Sequence, residues 1–316
     1  MKSSDLVLKY LEESRGFFVS GEDLALKIGI SRTAVWKAVK NLESRGYKIE
    51  AVTNKGYSLS PNSDVLSPEI IKNLSGSPNV ILKKSTESTN TDAKLLAVSG
   101  AEHGTAVIAN EQIKGKGRLG RSFYSSEGGI YLSIVLRLKT DFSSAVLVTT
   151  ASAVAVCKAV EKFSDLTPQI KWVNDIFVGG KKVCGISCEA VSDFESGVVD
   201  FVIVGIGVNF KTKSFPPELE EIAGSLFFEN EAVTRNELAG EIIKNVLEIT
   251  ESLGDKKFID EYRRRSFLIG EDIIFRENNV WSDALCLGID DDGGLIVSVN
   301  GVKRTLVSGE VSVRRK

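Results

Sequence analysis

The sequence predicts an α+β protein in three parts: a small helical unit with a hairpin, a central mixed β-sheet with helices, and a small β-domain. Three observations predict this order. Helical periodicity dominates residues 3–45, helix and strand patterns then alternate, and only short strands separated by turn residues follow Gly270. At 316 residues the chain is long enough for two to three domains. We expect their boundaries at 1–62, 65–266 and 267–316.

Three helices are predicted in the N-terminal unit, each with a residue type that favours a helix start. Ser3 or Ser4 is placed to cap the first helix, and Ser20 with Asp23 resembles a capping box for the second. Ser31 precedes the third helix, whose apolar residues recur at helical spacing on one face.

A predicted β-hairpin, YKIEAVTNKGYSL, follows the third helix and completes the order of a winged helix-turn-helix. Such a unit inserts its third helix into the major groove of DNA and uses lysines on the phosphates. Residues 1–60 carry ten Lys and Arg against seven Asp and Glu, although the whole chain has a net charge of −2. A small helical bundle with a solvated face is the alternative, and the position of the hairpin favours DNA binding. The predicted contacts are Ser31, Arg32, Thr33, Lys37 and Lys40.

The central part alternates short strands and helices. Its predicted helices cover 67–74, 90–98, 143–163, 234–253 and a basic segment that ends near 265. Its predicted strands cover 79–84, 104–109, 130–138, a hairpin that turns at 179–180, and the apolar run VDFVIVGIGVNF. The segments EDIIF, WSDALCLGI, LIVSVNG and EVSVR then predict a small antiparallel barrel or sandwich.

The cysteine and histidine content excludes several kinds of chemistry. The chain has four cysteines without a C-x-x-C pair, and His103 is its only histidine. A zinc site and a histidine-based catalytic triad are therefore not expected. No signal peptide and no apolar run of membrane-spanning length is present, so we expect a cytoplasmic protein without membrane contact.

The segment GKGRLGRSF at 115–123 combines three glycines with three cations. It satisfies G-x-G-x-x-G and nearly satisfies a Walker A motif, but both motifs need a helix directly after the glycines. The apolar, β-branched run that follows predicts a strand instead. Neither nucleotide motif is therefore supported by its context.

Polar clusters occur where strands of the central part end, which is where α/β proteins place their sites. They are ESTNT, Gln112 with the glycine–cation loop, KWVND, GKKVCG and the strand tail GIGVN. Each also has a structural explanation, as helix caps, a core tryptophan or a hairpin turn. Their number and common position favour a shared ligand site.

Taken together, the winged helix, STN, GKGRLGRSF, KWVND, GKKVCGI, GIGVN and the terminal β-domain resemble one family over essentially the whole chain. This family comprises the bifunctional biotin–protein ligases that also repress the biotin operon. The resemblance implies a ligase domain similar to class II aminoacyl-tRNA synthetases and an SH3-like C-terminal barrel. It also implies formation of biotinyl-5′-AMP from biotin, ATP and Mg²⁺, followed by biotin transfer to a lysine of the biotin carboxyl carrier protein.

By the same resemblance, Lys182, Arg118 and Asp175 are the expected catalytic residues, and Asp175 serves Mg²⁺ indirectly. The expected biotin-binding residues are Ser88, Thr89, Asn90, Gln112, Gly115, Lys116, Gly117, Arg118, Lys182, Gly185 and Gly205. The expected ATP and adenylate contacts are Arg118, Arg121, Phe123, Asn174, Lys182, Asn209 and Arg314. The glycine–cation loop would close over the ligand as a lid.

The resemblance further implies a homodimer that forms on adenylate binding and places two winged helices on biotin operator DNA. Three alternatives stay open from the sequence. The body could sense a ligand without ligating it, it could be a lipoate or octanoyl ligase, or the winged helix could be vestigial.

Overall fold

A computed structural model describes residues 2–138, 144–192, 199–228, 231–277, 280–307 and 312–315. The N-terminal unit contains α1 (Ser3–Glu13), α2 (Gly21–Ile28) and α3 (Arg32–Ser44), followed by β1 (Ile49–Val52) and β2 (Gly56–Leu59). The two strands pair antiparallel, and the unit has its own apolar core. The predicted winged helix-turn-helix is thus present.

Caps explain where the N-terminal helices begin. Ser20 accepts a hydrogen bond from the Asp23 backbone N–H at 3.0 Å, and Ser31 accepts one from Ala34 at 3.2 Å. Gly29 ends α2 in the left-handed region, which a glycine adopts without strain. The prediction for α1 was wrong by one residue, because Lys2 is its N-cap and Ser3 already belongs to the helix.

The central part is built on a seven-stranded mixed sheet in the order β3-β4-β5-β9-β8-β7-β6. The strands are β3 (Val80–Lys83), β4 (Ala106–Ala109), β5 (Ile130–Leu136), β6 (Gln169–Lys171), β7 (Asp175–Val178), β8 (Lys181–Ser192) and β9 (Val199–Val208). Only the β3–β4 pair is parallel. The sequence predicted one hairpin in 168–190, whereas the structure has two, because residues 172–174 form a second turn between β6 and β7.

Helices cover both faces of this sheet. They are α4 (Pro68–Ser75), α5 (Thr89–Val98), α6 (Ser144–Lys162), α7 (Pro217–Glu220), α8 (Arg235–Glu251) and α9 (Phe258–Arg265). Helix α5 packs against β4, β5 and β9, while α6 packs against β7, β8 and β9 and carries α8 and α9 on its outer side. Thr234 and Glu237 form the predicted capping box of α8. The first residue of the predicted 143–163 helix lies outside the described residues.

The C-terminal part is a five-stranded antiparallel sheet in the order β13-β12-β11-β10-β14. It contains β10 (Asp272–Glu277), β11 (Val280–Ile289), β12 (Leu295–Val299), β13 (Val302–Leu306) and β14 (Ser312–Arg315). Strand β13 was not predicted, because VKRTL is almost wholly exposed and lacks an alternating pattern. The edge strands β13 and β14 do not pair within the described residues, so this sheet is open there.

The apolar core of the central sheet continues into the C-terminal sheet through residues such as Phe275 and Leu295. The apolar core of the N-terminal unit is separate from this larger core. None of the helices in the described ranges combines the length and apolar character that a membrane crossing requires.

Candidate active site

One cavity of about 160 Å³ opens above the central sheet, between the start of α5, the glycine–cation loop and the turn before β7. Most of the site residues expected from the sequence line it. These are Ser88, Thr89, Asn90, Gln112, Lys116, Gly117, Arg118, Arg121, Phe123, Asn174, Asp175, Lys182, Gly185 and Gly205. The separated polar clusters of the sequence therefore meet at one place.

Glycines on two adjacent strands form the floor of the cavity. Gly205 and Gly207 lie on β9, and Gly185 on β8 pairs with Gly207. A Cβ atom at Gly205 would overlap the Asn90 amide, and one at Gly207 would come within 2.5 Å of the Phe123 ring. The missing side chains therefore let two cavity-lining groups lie directly on the sheet.

Hydrogen bonds connect the start of α5 with Gln112 at the polar end of the cavity. Gln112 Oε1 accepts from the Thr89 backbone N–H at 2.8 Å and from the Thr89 hydroxyl at 3.1 Å. Gln112 Nε2 donates to Ser125 Oγ at 3.0 Å. Ser88 is the N-cap of α5 but makes no side-chain capping hydrogen bond. The Ser88 side chain therefore serves as part of the cavity lining and does not cap the helix.

Cationic groups occupy the other end. Lys182 Nζ lies 2.7 Å from Asp175 Oδ1, and Arg118 donates to Asn174 Oδ1 at 3.3 Å. Burial lowers the pKa of the Arg118 guanidinium, and the Asp175 charge opposes that shift. Arginine stays protonated even so, and these cations can therefore stabilise a bound anion.

The glycine–cation loop folds back on itself above the floor. Gly117 N–H donates to the Arg121 carbonyl at 2.7 Å, and Phe123 N–H donates to the Gly115 carbonyl at 2.8 Å. The Phe123 ring lies over Gly185 and Gly207, with Lys182 Nζ 6.0 Å from its centroid. This loop places backbone amides, cations and one aromatic ring around the same space.

The turn at 172–174, which precedes Asp175, is held in place by hydrogen bonds from residues outside the cavity. Trp172 Nε1 donates to the Gly293 carbonyl at 2.9 Å, and the Tyr262 hydroxyl donates to the Val173 carbonyl at 3.0 Å. Asn174 donates to the Ile186 carbonyl at 2.7 Å. Helix α9 and the C-terminal sheet therefore fix the position of Asn174 and Asp175.

Three expected ligand residues do not line the cavity among the described side chains. Gly115 packs against Phe123 and Ser125 at the base of the loop. Asn209 is buried behind the wall, where its amide donates to the Lys182 carbonyl at 3.3 Å. The backbone of Arg314 pairs with Ile274, and its side chain lies outside the described residues.

Sequence reasoning missed several residues of the site. Ser187 lines the cavity, and Ser133 and Glu189 bind the Asn90 side chain. Trp172 and Gly207 also line the cavity; they fall in the segments KWVND and GIGVN, but neither was predicted as a ligand-binding residue. A serine inside the apolar run IYLSIVL and a glutamate inside a strand were the available signals, because such groups are rarely buried without a partner.

The DNA-binding residues expected from the sequence lie together on the outer side of α3. Arg32, Thr33, Lys37 and Lys40 are exposed, and Ser31 is the exposed N-cap. Trp36 is 50% exposed on the same side, at helical spacing from Arg32 and Lys40. The sequence did not indicate Trp36 as a surface residue, because tryptophan has an apolar side chain and the helical pattern of α3 predicts only which face is buried.

Fold and site together define a helix-turn-helix protein whose second domain has a cavity lined by amide and cationic side chains. The profile of the biotin/lipoate A/B protein ligase family matches residues 82–209, and a profile described as an HTH domain matches residues 4–58. The chain is 33% identical to the bifunctional ligase/repressor BirA of Bacillus subtilis (strain 168), over 94% of this chain and 95% of that protein. It is 26% identical to the Escherichia coli (strain K12) protein of the same name, over 99% of both chains.

Among solved structures, the biotin protein ligase from Aquifex aeolicus in complex with biotin and ATP superposes with a TM-score of 0.65. That similarity has 27% sequence identity and covers 76% of this chain and 100% of the other. The chain belongs to the family of bifunctional BirA ligase/repressors.

Proposed function

We propose that this protein is a biotin–protein ligase and a biotin-responsive repressor, acting in the cytoplasm where ATP and DNA are available. One observation carries the ligase part. A single cavity combines an amide-rich end at Asn90 and Gln112 with a cationic end at Lys182 and Arg118. A ligand with a neutral urea ring at one end and a carboxylate joined to a phosphate at the other end needs both kinds of group in one cavity.

In the first step, a carboxylate oxygen of biotin attacks the α-phosphorus of ATP. A carbon-bound oxygen thereby gains a bond to phosphorus, and the bond from that phosphorus to the pyrophosphate oxygen breaks. Carboxylate and phosphate repel each other, so Lys182 and Arg118 act by neutralising charge and holding both groups in line. The products are biotinyl-5′-AMP and pyrophosphate.

In the second step, the ε-amine of a lysine on the biotin carboxyl carrier protein attacks the acyl carbon of the anhydride. The new amide bond replaces the bond to the AMP oxygen, and the attacking amine loses one proton. The loop at 115–123 would cover the anhydride and exclude water until the amine arrives.

Magnesium would lower the charge of the ATP phosphates. Magnesium sites at phosphates often use one or two carboxylates together with the phosphates themselves. Asp175 lines the cavity, and no cluster of three metal-binding side chains occurs in the part of the chain that the structure describes. These residues fit a magnesium ion that arrives with ATP and that Asp175 contacts indirectly.

The family resemblance supports an assignment of residues to each substrate, and most of these residues line the cavity. The urea ring of biotin would lie against Ser88, Thr89, Asn90 and Gln112, above the floor at Gly185 and Gly205, with Gly115, Lys116 and Gly117 closing over it. The adenylate would lie against Arg118, Arg121, Phe123 and Asn174. Asn209 would support Lys182 from behind, and Arg314 would contact the nucleotide from the last strand.

For the repressor part, biotinyl-5′-AMP would act as co-repressor. Its binding would order the loop and favour a homodimer, and two copies of α3 would then contact two half-sites of biotin operator DNA. The exposed cations on α3 support this assignment.

The three units would have the boundaries 1–62, 65–266 and 267–316. Separate apolar cores support the first boundary. We also propose that the ligase domain is similar to class II aminoacyl-tRNA synthetases and that the C-terminal sheet is a small SH3-like barrel, open between β13 and β14 within the described residues.

The test is to incubate the full chain with labelled biotin, MgATP and a biotin carboxyl carrier domain. Label should move to the carrier lysine, and Lys182→Ala should abolish the transfer. Binding of biotin without transfer would instead identify a sensor, and transfer of lipoate or octanoate alone would identify the related acyl ligases. Gel shifts on biotin-synthesis promoters with and without biotin and ATP test the repressor part.

A further inference from the structure

A buried polar network lies beneath the amide-rich end of the cavity. Ser133 on β5 is fully buried, and its Oγ lies 2.6 Å from Asn90 Oδ1. On the other side of the amide, Asn90 Nδ2 donates to Glu189 Oε1 at 2.8 Å. The Asn90 amide is therefore held from β5 and β8, the two strands that flank β9, and it lies directly above Gly205 on β9.

This network fixes which way the Asn90 amide faces. If the amide were flipped, Oδ1 would lie against the Glu189 carboxylate, and two acceptors cannot share a hydrogen bond. The negative charge of Glu189 makes the flipped state still less favourable in a partly buried site. Ser133 Oγ also lies 2.8 Å from Thr89 Oγ1, so its hydroxyl can donate to Thr89 and accept from the Asn90 amide, or donate to Asn90. Glu189 therefore sets the direction of the amide, and Ser133 completes its hydrogen bonding.

The same reasoning applies to Gln112, the second amide of this end. Thr89 supplies two donors to Gln112 Oε1, and Ser125 accepts from Gln112 Nε2. A primary amide has two N–H donors. Both amides therefore have their oxygens engaged and retain one N–H that no acceptor takes within the described residues. This end of the cavity presents donors.

We propose that Glu189 and Ser133 are positioning residues, an inference that rests on the proposed biotin site. They hold the Asn90 amide in the orientation in which one of its N–H groups faces the cavity. The site consequently accepts a urea-type carbonyl oxygen at this end and rejects a group that carries donors or positive charge there. Glu189 contributes to ligand selection through Asn90.

The test uses biotin and 2-iminobiotin, in which the urea oxygen is replaced by a nitrogen that is protonated near neutral pH. Binding of each to the full-length chain is measured calorimetrically without ATP. Glu189→Met keeps the side-chain length and removes the acceptor. We expect it to weaken biotin binding about tenfold, the usual effect of losing one charge-assisted hydrogen bond. The ratio of the affinity for biotin to the affinity for 2-iminobiotin should also decrease, because the Asn90 amide is then free to flip.

Further variants separate positioning from a general structural role. Glu189→Gln retains an oxygen acceptor and should restore most of the biotin affinity. Ser133→Ala should reduce the preference less strongly, and the KM for ATP should stay unchanged in every variant. The matched controls are two. Glu241→Met removes a carboxylate on α8 that pairs with Lys162 on α6, and Ser152→Ala removes a fully buried hydroxyl that donates to the Val148 carbonyl.

Unchanged biotin affinity and unchanged preference in Glu189→Met would overturn the proposal. If Glu189→Met does not fold, Glu189→Ala removes the same acceptor, and an unchanged preference in that variant overturns the proposal equally. A parent protein that binds no biotin at all would refute the proposed function instead, so the two failures are distinguishable.

Discussion

Lys182 and Asp175 form a 2.7 Å ion pair inside the cavity, on adjacent strands of the central sheet. Both side chains are partly exposed to the cavity, at 27% and 22%. Without ligand, the carboxylate neutralises the lysine. A bound carboxylate or phosphate competes for the same ammonium group, so the pair prepares a cation for an incoming anion without leaving it unpaired.

Replacing this lysine tests the charge-neutralising step. Lys182→Ala should reduce adenylate formation about 10²–10³-fold, the usual effect of removing one donor from a charge-stabilising site. Pyrophosphate release measures this step before any carrier is present. The adjacent Lys181 is a matched control, because it pairs with Glu221 and donates to the Glu220 carbonyl outside the cavity. Equal losses in Lys181→Ala and Lys182→Ala would contradict the assigned role.

The glycine floor predicts a position-specific effect of a single methyl group. Gly205→Ala should abolish measurable biotin binding, because the new Cβ would displace the Asn90 amide. Gly254→Ala adds the same methyl where nothing lies within 4 Å and should leave binding unchanged. Calorimetry with biotin measures both. Wild-type affinity in Gly205→Ala would show that Asn90 has no part in the site.

The order of units and most elements of the central sheet could be predicted from the sequence, because alternation, caps and turn residues are local signals. The second hairpin could not, since WVN at 172–174 contains no glycine or proline to indicate a turn; Tyr262 and Gly293 hold it from distant parts of the chain. Strand β13 was missed for a related reason, because its pairing with β12 rather than its composition defines it.

The site itself was predicted largely through the family resemblance. The residues alone favoured a ligand site formed by polar clusters at strand ends, but they did not indicate which side chains, such as Ser88 and Lys182, would face it. Ser133 and Glu189 were missed because their contribution depends on contacts with Asn90 across the sheet. Such contacts join residues 43 and 99 positions apart and leave no local pattern.

The four cysteines should resist thiol reagents in the native protein. Burial raises the pKa of Cys157 to about 12 and that of Cys188 and Cys286 to about 11, and it raises the pKa of Cys184 well above its ordinary value of 9.0. The thiolate is the reactive form, so labelling by iodoacetamide at pH 8 should be slow until denaturant is added.

The same shifts predict the direction of a pH effect on stability. The unfolded chain would release thiol protons near pH 9, whereas the folded chain retains them until higher pH. The free energy of unfolding should therefore decrease as the pH rises above about 9. Urea titrations at pH 8 and pH 10 measure this, with a variant lacking Cys184 and Cys188 as the control. Rapid labelling of the native protein at pH 8 would contradict the buried positions.

The outer side of α3 predicts two separable contributions to DNA binding. Lys37→Ala should lower the salt dependence of operator affinity by about one ion, because each phosphate contact releases counterions. Trp36→Ala should weaken binding without changing that slope, since an indole contacts DNA without releasing ions. Lys9, an exposed lysine on α1, provides the control variant Lys9→Ala. Identical slopes in all three variants would exclude α3 as the phosphate-contacting helix.

The junction between the N-terminal unit and the ligase body depends on Arg235 at the start of α8. Its Nε donates to Asp64 Oδ2 at 3.0 Å, and its two terminal nitrogens donate to the Asp64 carbonyl at 2.7 Å and to Asn110 Oδ1 at 3.2 Å. The Arg235 and Asp64 side chains are only 11% and 19% exposed, so removing one leaves the other poorly solvated.

Arg235→Ala should therefore loosen the 61–66 linker. We expect the N-terminal unit to unfold in a calorimetric transition separate from that of the ligase body, and proteases to cleave the linker faster. The loss of stability should be about 1–3 kcal/mol. Arg304→Ala removes an exposed pair with Glu277 and should cost no more than about 1 kcal/mol. Two units that unfold separately in the parent protein as well would show that Arg235 does not couple them.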